Sequence, residues 1–137
     1  TADMSGLFYF AGDHAYNAEK QAILAIAGRE SSVMIGRCAS SILAQSGNVL
    51  SVFLYGSEND CVDRIAARNG LSKREARERM EKVNRMRRRY FNFYAMTEWG
   101  KPESYDAMLS TSSLGTQGCA DIIVRLLEQK LGVTCHE

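Results

Sequence analysis

A chain of 137 residues can build one modest core but not two, so a single domain, or part of one, is expected over residues 1–137. Its 45% hydrophobic and 24% charged content excludes both disorder and a lipid-spanning run. Seventeen basic against sixteen acidic residues leave a net charge of +1, which excludes a polyanion binder acting with its whole surface.

The N-terminal stretch TADMSGLFYFAGDH has no basic leader, and LFYF is too short for a signal core, so export is not expected. NAEKQAILAIAG (17–28) predicts a helix, with Ala18, Ala22, Ile23 and Ile26 at helical spacing and Gly28 as its cap. SVMIG (32–36) reads as a short buried strand stopping at glycine, and RCASSILAQSG (37–47) as a short helix. VLSVFLYG (49–56) is the strongest strand. Its continuous apolar run, without alternation, predicts a strand covered on both faces, as in a parallel sheet.

Ser57 opens the next helix and Asn69-Gly70 closes it. Ser72 with Glu75 three residues later forms a capping box for a long charged helix reaching the region 91–94. The lone proline, Pro102, lies in the polar loop WGKPES. YDAMLST (105–111) is a third strand candidate, and a final helix runs from near Leu114 with Ile122, Ile123, Leu126, Leu127 and Leu131 as its apolar stripe. Helices and strands in this alternation build a parallel sheet with helices on both faces, whose ligands bind beyond the C-terminal strand ends. Arg37 stands at one such end.

The four cysteines, Cys38, Cys61, Cys119 and Cys135, form no C-x-x-C pair, and the one histidine beside a cysteine is His136. Reduced, mostly buried thiols in a cytoplasmic protein are expected rather than zinc or disulfides. The charge is uneven. Lys73 to Arg89 holds nine basic residues against three acidic, a local +6, so the remainder carries 8 minus 13, or −5. Glu75–Arg79, Glu78–Lys82 and Glu81–Arg85 are spaced for i,i+4 pairs, whereas Arg87, Arg88 and Arg89 have no carboxylate within helical reach. At about 100° per residue, Arg85, Arg88 and Arg89 share a side and Arg87 points away. Guanidinium forks on two faces suit different parts of an extended anion, such as a donor triphosphate and an acceptor monophosphate. The competing reading is a merely solvated face.

In order and spacing, VMIGRCASSIL, VLSVFLYGSENDCVDRIA, NRMRRRYFNFY, WGKPESYDAMLSTSSLG and the last helix together resemble the cytidylate-kinase-like nucleoside monophosphate kinases, from Val33 onward. The resemblance implies a P-loop phosphotransferase that passes the γ-phosphoryl of Mg²⁺-ATP to a pyrimidine monophosphate such as CMP. It implies that Gly36 and Arg37 hold the acceptor phosphate and that Arg85, Arg87 and Arg89, on a lid spanning about 72–104, neutralise the transferring phosphoryl. Ser112, Ser113 and Leu114 would lie near the adenine. Met86 and Arg88 stand where cytidylate kinases often have Asp between lid arginines, which leaves the acceptor preference open.

No G-x-x-x-x-G-K-[ST] occurs in the 137 residues, and GLFYFAG has no basic residue after its second glycine. In such a fold the P-loop strand sits between those of 32–36 and 49–56. A strand-loop-helix unit of roughly 30 residues or more is therefore expected outside this chain. Two other functions fit the sequence: a non-catalytic nucleotide-binding or regulatory module on the same scaffold, and an RNA-binding domain using RMRRRY with Phe91, Phe93 and Tyr94. Small-molecule nucleotides are the expected partners. Neither nucleic acid nor membrane is expected, no protein ligand for Mg²⁺ stands out, His14 reads as a surface or cap residue rather than a general base, and Trp99 and Asp106 read as structural.

Overall fold

The computed structural model describes residues 4–134, with side chains from residue 12 onward. It is mostly helical, with a small two-stranded parallel sheet packed against helices. The chain divides into two compact units, Thr1–Ser46 and Gly47–Glu137.

In the first unit α1 (Met4–Arg29) packs on the short α2 (Ala39–Ile42). The expected helix over 17–28 is thus the C-terminal half of a longer one. With no proline or β-branched run from residue 4 onward, the helix has no reason to stop before Arg29. Ile23, Cys38, Ala39 and Leu43 are buried and form this unit's small core.

The strand expected at 32–36 is not formed. Val33 and Ile35 are 93% and 91% exposed, and among the described residues no backbone hydrogen bond ties 32–36 to another strand. The physical reason is that a parallel strand exists only through the ladder of a neighbour, and a four- or five-residue apolar run cannot hold an extended form alone. The helix expected over 37–47 likewise shrinks to α2.

The second unit begins with β1 (Val52–Tyr55), which pairs in parallel with β2 (Ala107–Ser110), Val52 opposite Ala107 and Tyr55 opposite Ser110. Both strands are shorter than the apolar runs that announced them. Each has one unpaired edge among the described residues, and Leu54 and Tyr55 remain about half exposed. Between the strands run α3 (Glu58–Asn69) and α4 (Lys73–Tyr94), packed on each other. Val62 is the one large side chain that is fully buried among the described residues.

Ser57 caps α3 by accepting from the Asp60 amide at 3.2 Å, and Gly70 ends it in the left-handed region. At α4 the expected capping box is complete. The Ser72 hydroxyl accepts from the Glu75 amide, and the Glu75 carboxylate accepts from the Ser72 amide at 2.9 Å. The Ser72 hydroxyl also donates to Glu75 Oε2 at 2.6 Å, and that bond, followed by the one from the Ser72 amide, holds the Glu75 carboxyl below its ordinary range.

The far end of α4 is fastened by aromatic packing. Phe91, only 5% exposed, stacks on Tyr105, which meets Phe53 of β1 at 4.9 Å, and Phe53 meets Trp99 edge-on at 5.2 Å. The connection after α4 folds back through the Trp99 amide donating to Asn92 Oδ1 and the Ser104 hydroxyl donating to the Glu98 carbonyl. Within it the polar loop holds a 3-10 turn, Pro102–Ser104. The last helix, α5 (Thr111–Leu131), is two helical pieces joined at Gly115, whose φ of 70° and ψ of 170° lie outside the helical region and suit only glycine. It packs on both strands.

Asp106 ties the sheet together. Its carboxylate accepts from the Ser51 amide at 2.8 Å, the Ser51 hydroxyl at 3.1 Å and Lys130 Nζ of α5 at 2.7 Å. Partial burial pushes this carboxyl up, but those three donors outweigh it and hold it below the ordinary range.

Candidate nucleotide site

The sequence-predicted site residues fall in three places. Gly36 and Arg37 belong to the first unit; the arginines of α4 and the segment Ser112–Leu114 belong to the second.

Gly36, Arg37 and Cys38 form a run of three left-handed residues, with φ of 74°, 55° and 57°. Left-handed backbone at the two non-glycine residues costs on the order of 1 kcal/mol each. The burial of Cys38 and Ala39 beneath the run offsets it, while the Arg37 side chain stays 68% exposed. Arg37 Nη1 lies 3.0 Å from Oε1 of Glu19 on α1. Burial, followed by the Glu19 charge, pushes the Cys38 thiol up to about 11, so it is protonated at neutral pH and is no nucleophile.

On α4 the charge pairing differs from the spacing-based expectation. Only Glu81–Arg85 forms among the three predicted pairs, at 3.7 Å. Glu75 is held by the capping box, and Glu78 pairs with Arg74 at 2.8 Å, so Arg79 and Lys82 have no ion-pair partner among the described residues. Two further pairs run between helices, Lys73 to Asp63 and Arg77 to Glu58, which sequence separation within one helix could not signal.

Among the arginines of α4, Arg88 stacks over the Trp99 ring, 5.5 Å from its centroid. Arg85 and Arg88 line one open groove of about 210 Å³ with Met80, Glu81 and Asn84. Among the described residues Arg87 meets only Asn84 Oδ1, at 3.4 Å, and Arg89 has no polar or ring contact. Both are exposed. Phe91 serves packing, whereas Phe93 is 57% exposed.

Beyond the C-terminal ends of β1 and β2 the chain turns tightly. A Cβ on Gly56 would stand 3.1 Å from both Ser112 Oγ and Thr111 Oγ1 and 3.2 Å from Cys61 Sγ, so glycine permits the close approach. Ser112 Oγ accepts from the Ser57 amide at 2.8 Å, and the Thr111 hydroxyl donates to the Tyr55 carbonyl at 3.0 Å. A Ser112 hydrogen bond, then one from Ser57, holds the Asp60 carboxyl below its ordinary range. Ser113 is engaged with Ser110, which caps the first turn of α5. Leu114, 42% exposed, presents the apolar surface here. Asp60 and Ser57 had no functional signal in the sequence beyond the capping pattern S-x-x-D.

For an ATP–Mg²⁺ group the fit is partial. Exposed guanidinium groups on α4 suit phosphate oxygens and Leu114 suits a base, while Ser112 and Ser113 are already engaged. Among the described residues no three His, Cys, Asp or Glu side chains cluster as a metal site. Cys38, Cys61 and Cys119 are free thiols, and Cys135 and His136 lie outside the described residues. No helix among those residues is long and apolar enough to cross a membrane.

Three comparisons bear on this arrangement. The uronate isomerase of Corynebacterium glutamicum is 24% identical over 131 residues, which are 94% of this chain and 25% of that protein. A crystal structure of an uncharacterized protein from Eubacterium ventriosum superposes with a TM-score of 0.77 at 28% identity, covering 86% of this chain and 65% of that one. The chain therefore spans about a quarter of the curated relative and just under two thirds of the solved one. A sequence model of the cytidylate kinase-like family matches residues 4–113, which include the Gly36-Arg37 turn, both strands and the whole of α4. With well over half of its length matched in this way, the chain belongs to the cytidylate kinase-like family.

Proposed function

We propose that this chain supplies the acceptor-binding and lid segments of a nucleoside monophosphate kinase acting on a pyrimidine monophosphate such as CMP. The observation that carries the reading is the family match over residues 4–113 together with Arg87 and Arg89, exposed on α4 and paired with no carboxylate. Charged side chains left without partners lose little by staying in water and gain strongly from a phosphate.

Phosphoryl transfer asks a protein mainly for positioning and for neutralising charge on the moving group. Arg37 would grip the acceptor's phosphate through its fork. Arg85, Arg87 and Arg89 would approach the transferring phosphoryl as the lid helix closes, with Gly36 giving the backbone its turn. Leu114 would flank the adenine. ATP with Mg²⁺ supplies the phosphoryl donor, the ion leaning on phosphates and water for its ligands. The glycine-rich phosphate loop of such enzymes would come from a strand-loop-helix unit outside these residues, and the unpaired edge of β1 and the unpaired 32–36 segment support that reading.

A coupled assay for ADP release on the full-length protein, with CMP, dCMP and UMP as acceptors, tests the proposal. Acceptor-dependent turnover with at least one of the three is expected. ADP release that no acceptor stimulates would remove the enzyme reading in favour of a non-catalytic nucleotide-binding module.

A further inference from the structure

Arg37 is an exposed side chain on a left-handed turn, yet one end of it is held. Nη1 lies 3.0 Å from Glu19 Oε1, and the Glu19 side chain is only 30% exposed against 68% for Arg37. The anchor is the more enclosed partner. It projects from α1, a 26-residue helix, whereas Arg37 stands in the short turn before α2. A guanidinium offers phosphate two edges. With Nη1 occupied by Glu19, the edge formed by Nε and Nη2 meets no partner among the described residues. That edge is the one that can take two oxygens of a phosphate monoester side by side.

An untethered arginine samples many rotamers and loses that freedom when it binds. A tie at the far nitrogen removes part of the loss in advance. It also narrows where the free edge can point, because the backbone at Gly36, Arg37 and Cys38 is fixed in one unusual conformation and Cys38 is packed beneath it, 4% exposed. The Glu19 charge opposes an incoming dianion, but across an exposed pair that repulsion is screened by water and salt.

We propose that Glu19 is a positioning residue, whose carboxylate holds Arg37 by Nη1 so that the Nε–Nη2 edge is presented to the phosphate of the acceptor nucleotide. The proposal rests on the reading of Arg37 as the acceptor-phosphate ligand. Glu19 itself touches no substrate. Nothing in the sequence marks it, since the seventeen residues between the partners carry no motif.

The test uses the full-length protein with CMP as the probe, measuring Kd by calorimetry without ATP and KM and kcat by ADP release. For Glu19→Ala, Kd and KM for CMP are expected to rise on the order of threefold to tenfold, with the loss falling on KM rather than kcat. Glu19→Gln keeps an oxygen for Nη1 and is expected to restore both to within about twofold. The double variant with Arg37→Ala should be no weaker than Arg37→Ala alone, because the two act as a unit. If Glu19→Ala proves unstable, Glu19→Leu removes the same oxygen while keeping bulk and helix propensity, and the same rise is expected. Unchanged or tighter CMP binding in the Glu19 variants, with Arg37→Ala still impaired, would overturn the positioning role and leave the kinase reading standing. Unaltered binding in Arg37→Ala would overturn both.

Discussion

Helix α4 and the segment 32–38 both carry arginines that we propose bind phosphate, yet they are held in opposite ways. At its start α4 is fixed by a reciprocal capping box, and at its end by Phe91, Tyr105, Phe53 and Trp99 packed ring to ring. Its arginines project from a scaffold that is complete without any ligand. The 32–38 segment has an irregular run whose Val33 and Ile35 side chains face water and a strained turn whose exposed arginine is steadied by the Glu19 carboxylate. The difference teaches that a helix can build its own platform from local rules, while a parallel strand depends on a neighbour for every backbone bond.

That contrast can be broken or sharpened by substitution. The largest effect is expected at Phe91→Ala, which empties the aromatic cluster and should cost about 3–5 kcal/mol by denaturant unfolding. A much smaller cost would mean that α4 is not held by this packing. Next is Asp106→Asn. The folded carboxyl sits below its ordinary value, so its contribution is present above the usual carboxylate range and is lost as pH falls through the depressed folded value. With 35% of the side chain exposed, screening limits the effect. A loss of about 1 kcal/mol at pH 7 is expected, narrowing toward zero below about pH 4. A pH-independent difference would show that the charge on Asp106 is not what binds Ser51 and Lys130.

The smallest effect is expected at Val33→Ala and Ile35→Ala in the 137-residue chain, within about 0.5 kcal/mol, because both side chains are already in water. A cost of several kcal/mol there would show that the run is covered in solution, and the contrast with α4 would fail.

What the sequence made legible follows the same division. The caps at Ser57, Gly70, Ser72 and Glu75, the reach of α4 to Tyr94 and the two strands that do pair were all readable from local pattern. So was the structural part played by Trp99, which packs on Phe53. The strand at 32–36 was misread because apolar β-branched residues report a preference for burial without saying what would bury them. Helix α1 was read too short, since the apolar spacing that signals it was followed only over 17–28, while no proline or β-branched run in 4–16 stops a helix. For the site, Arg37 and the uncommitted arginines of α4 stood out by position and by missing i,i+4 partners. Glu19, and the bonds joining Ser112 to Ser57 and Asp60, lie in tertiary contacts that linear spacing does not encode.

The central claim is that Arg37 serves the acceptor while Arg87 serves the moving phosphoryl. Steady-state kinetics of Arg37→Ala and Arg87→Ala in the full-length protein, with CMP varied at saturating ATP, test it most directly. The account predicts that kcat/KM falls on the order of 10²-fold in each, chiefly through the KM for CMP in the first and through kcat in the second. Wild-type kcat and KM in both variants would contradict it.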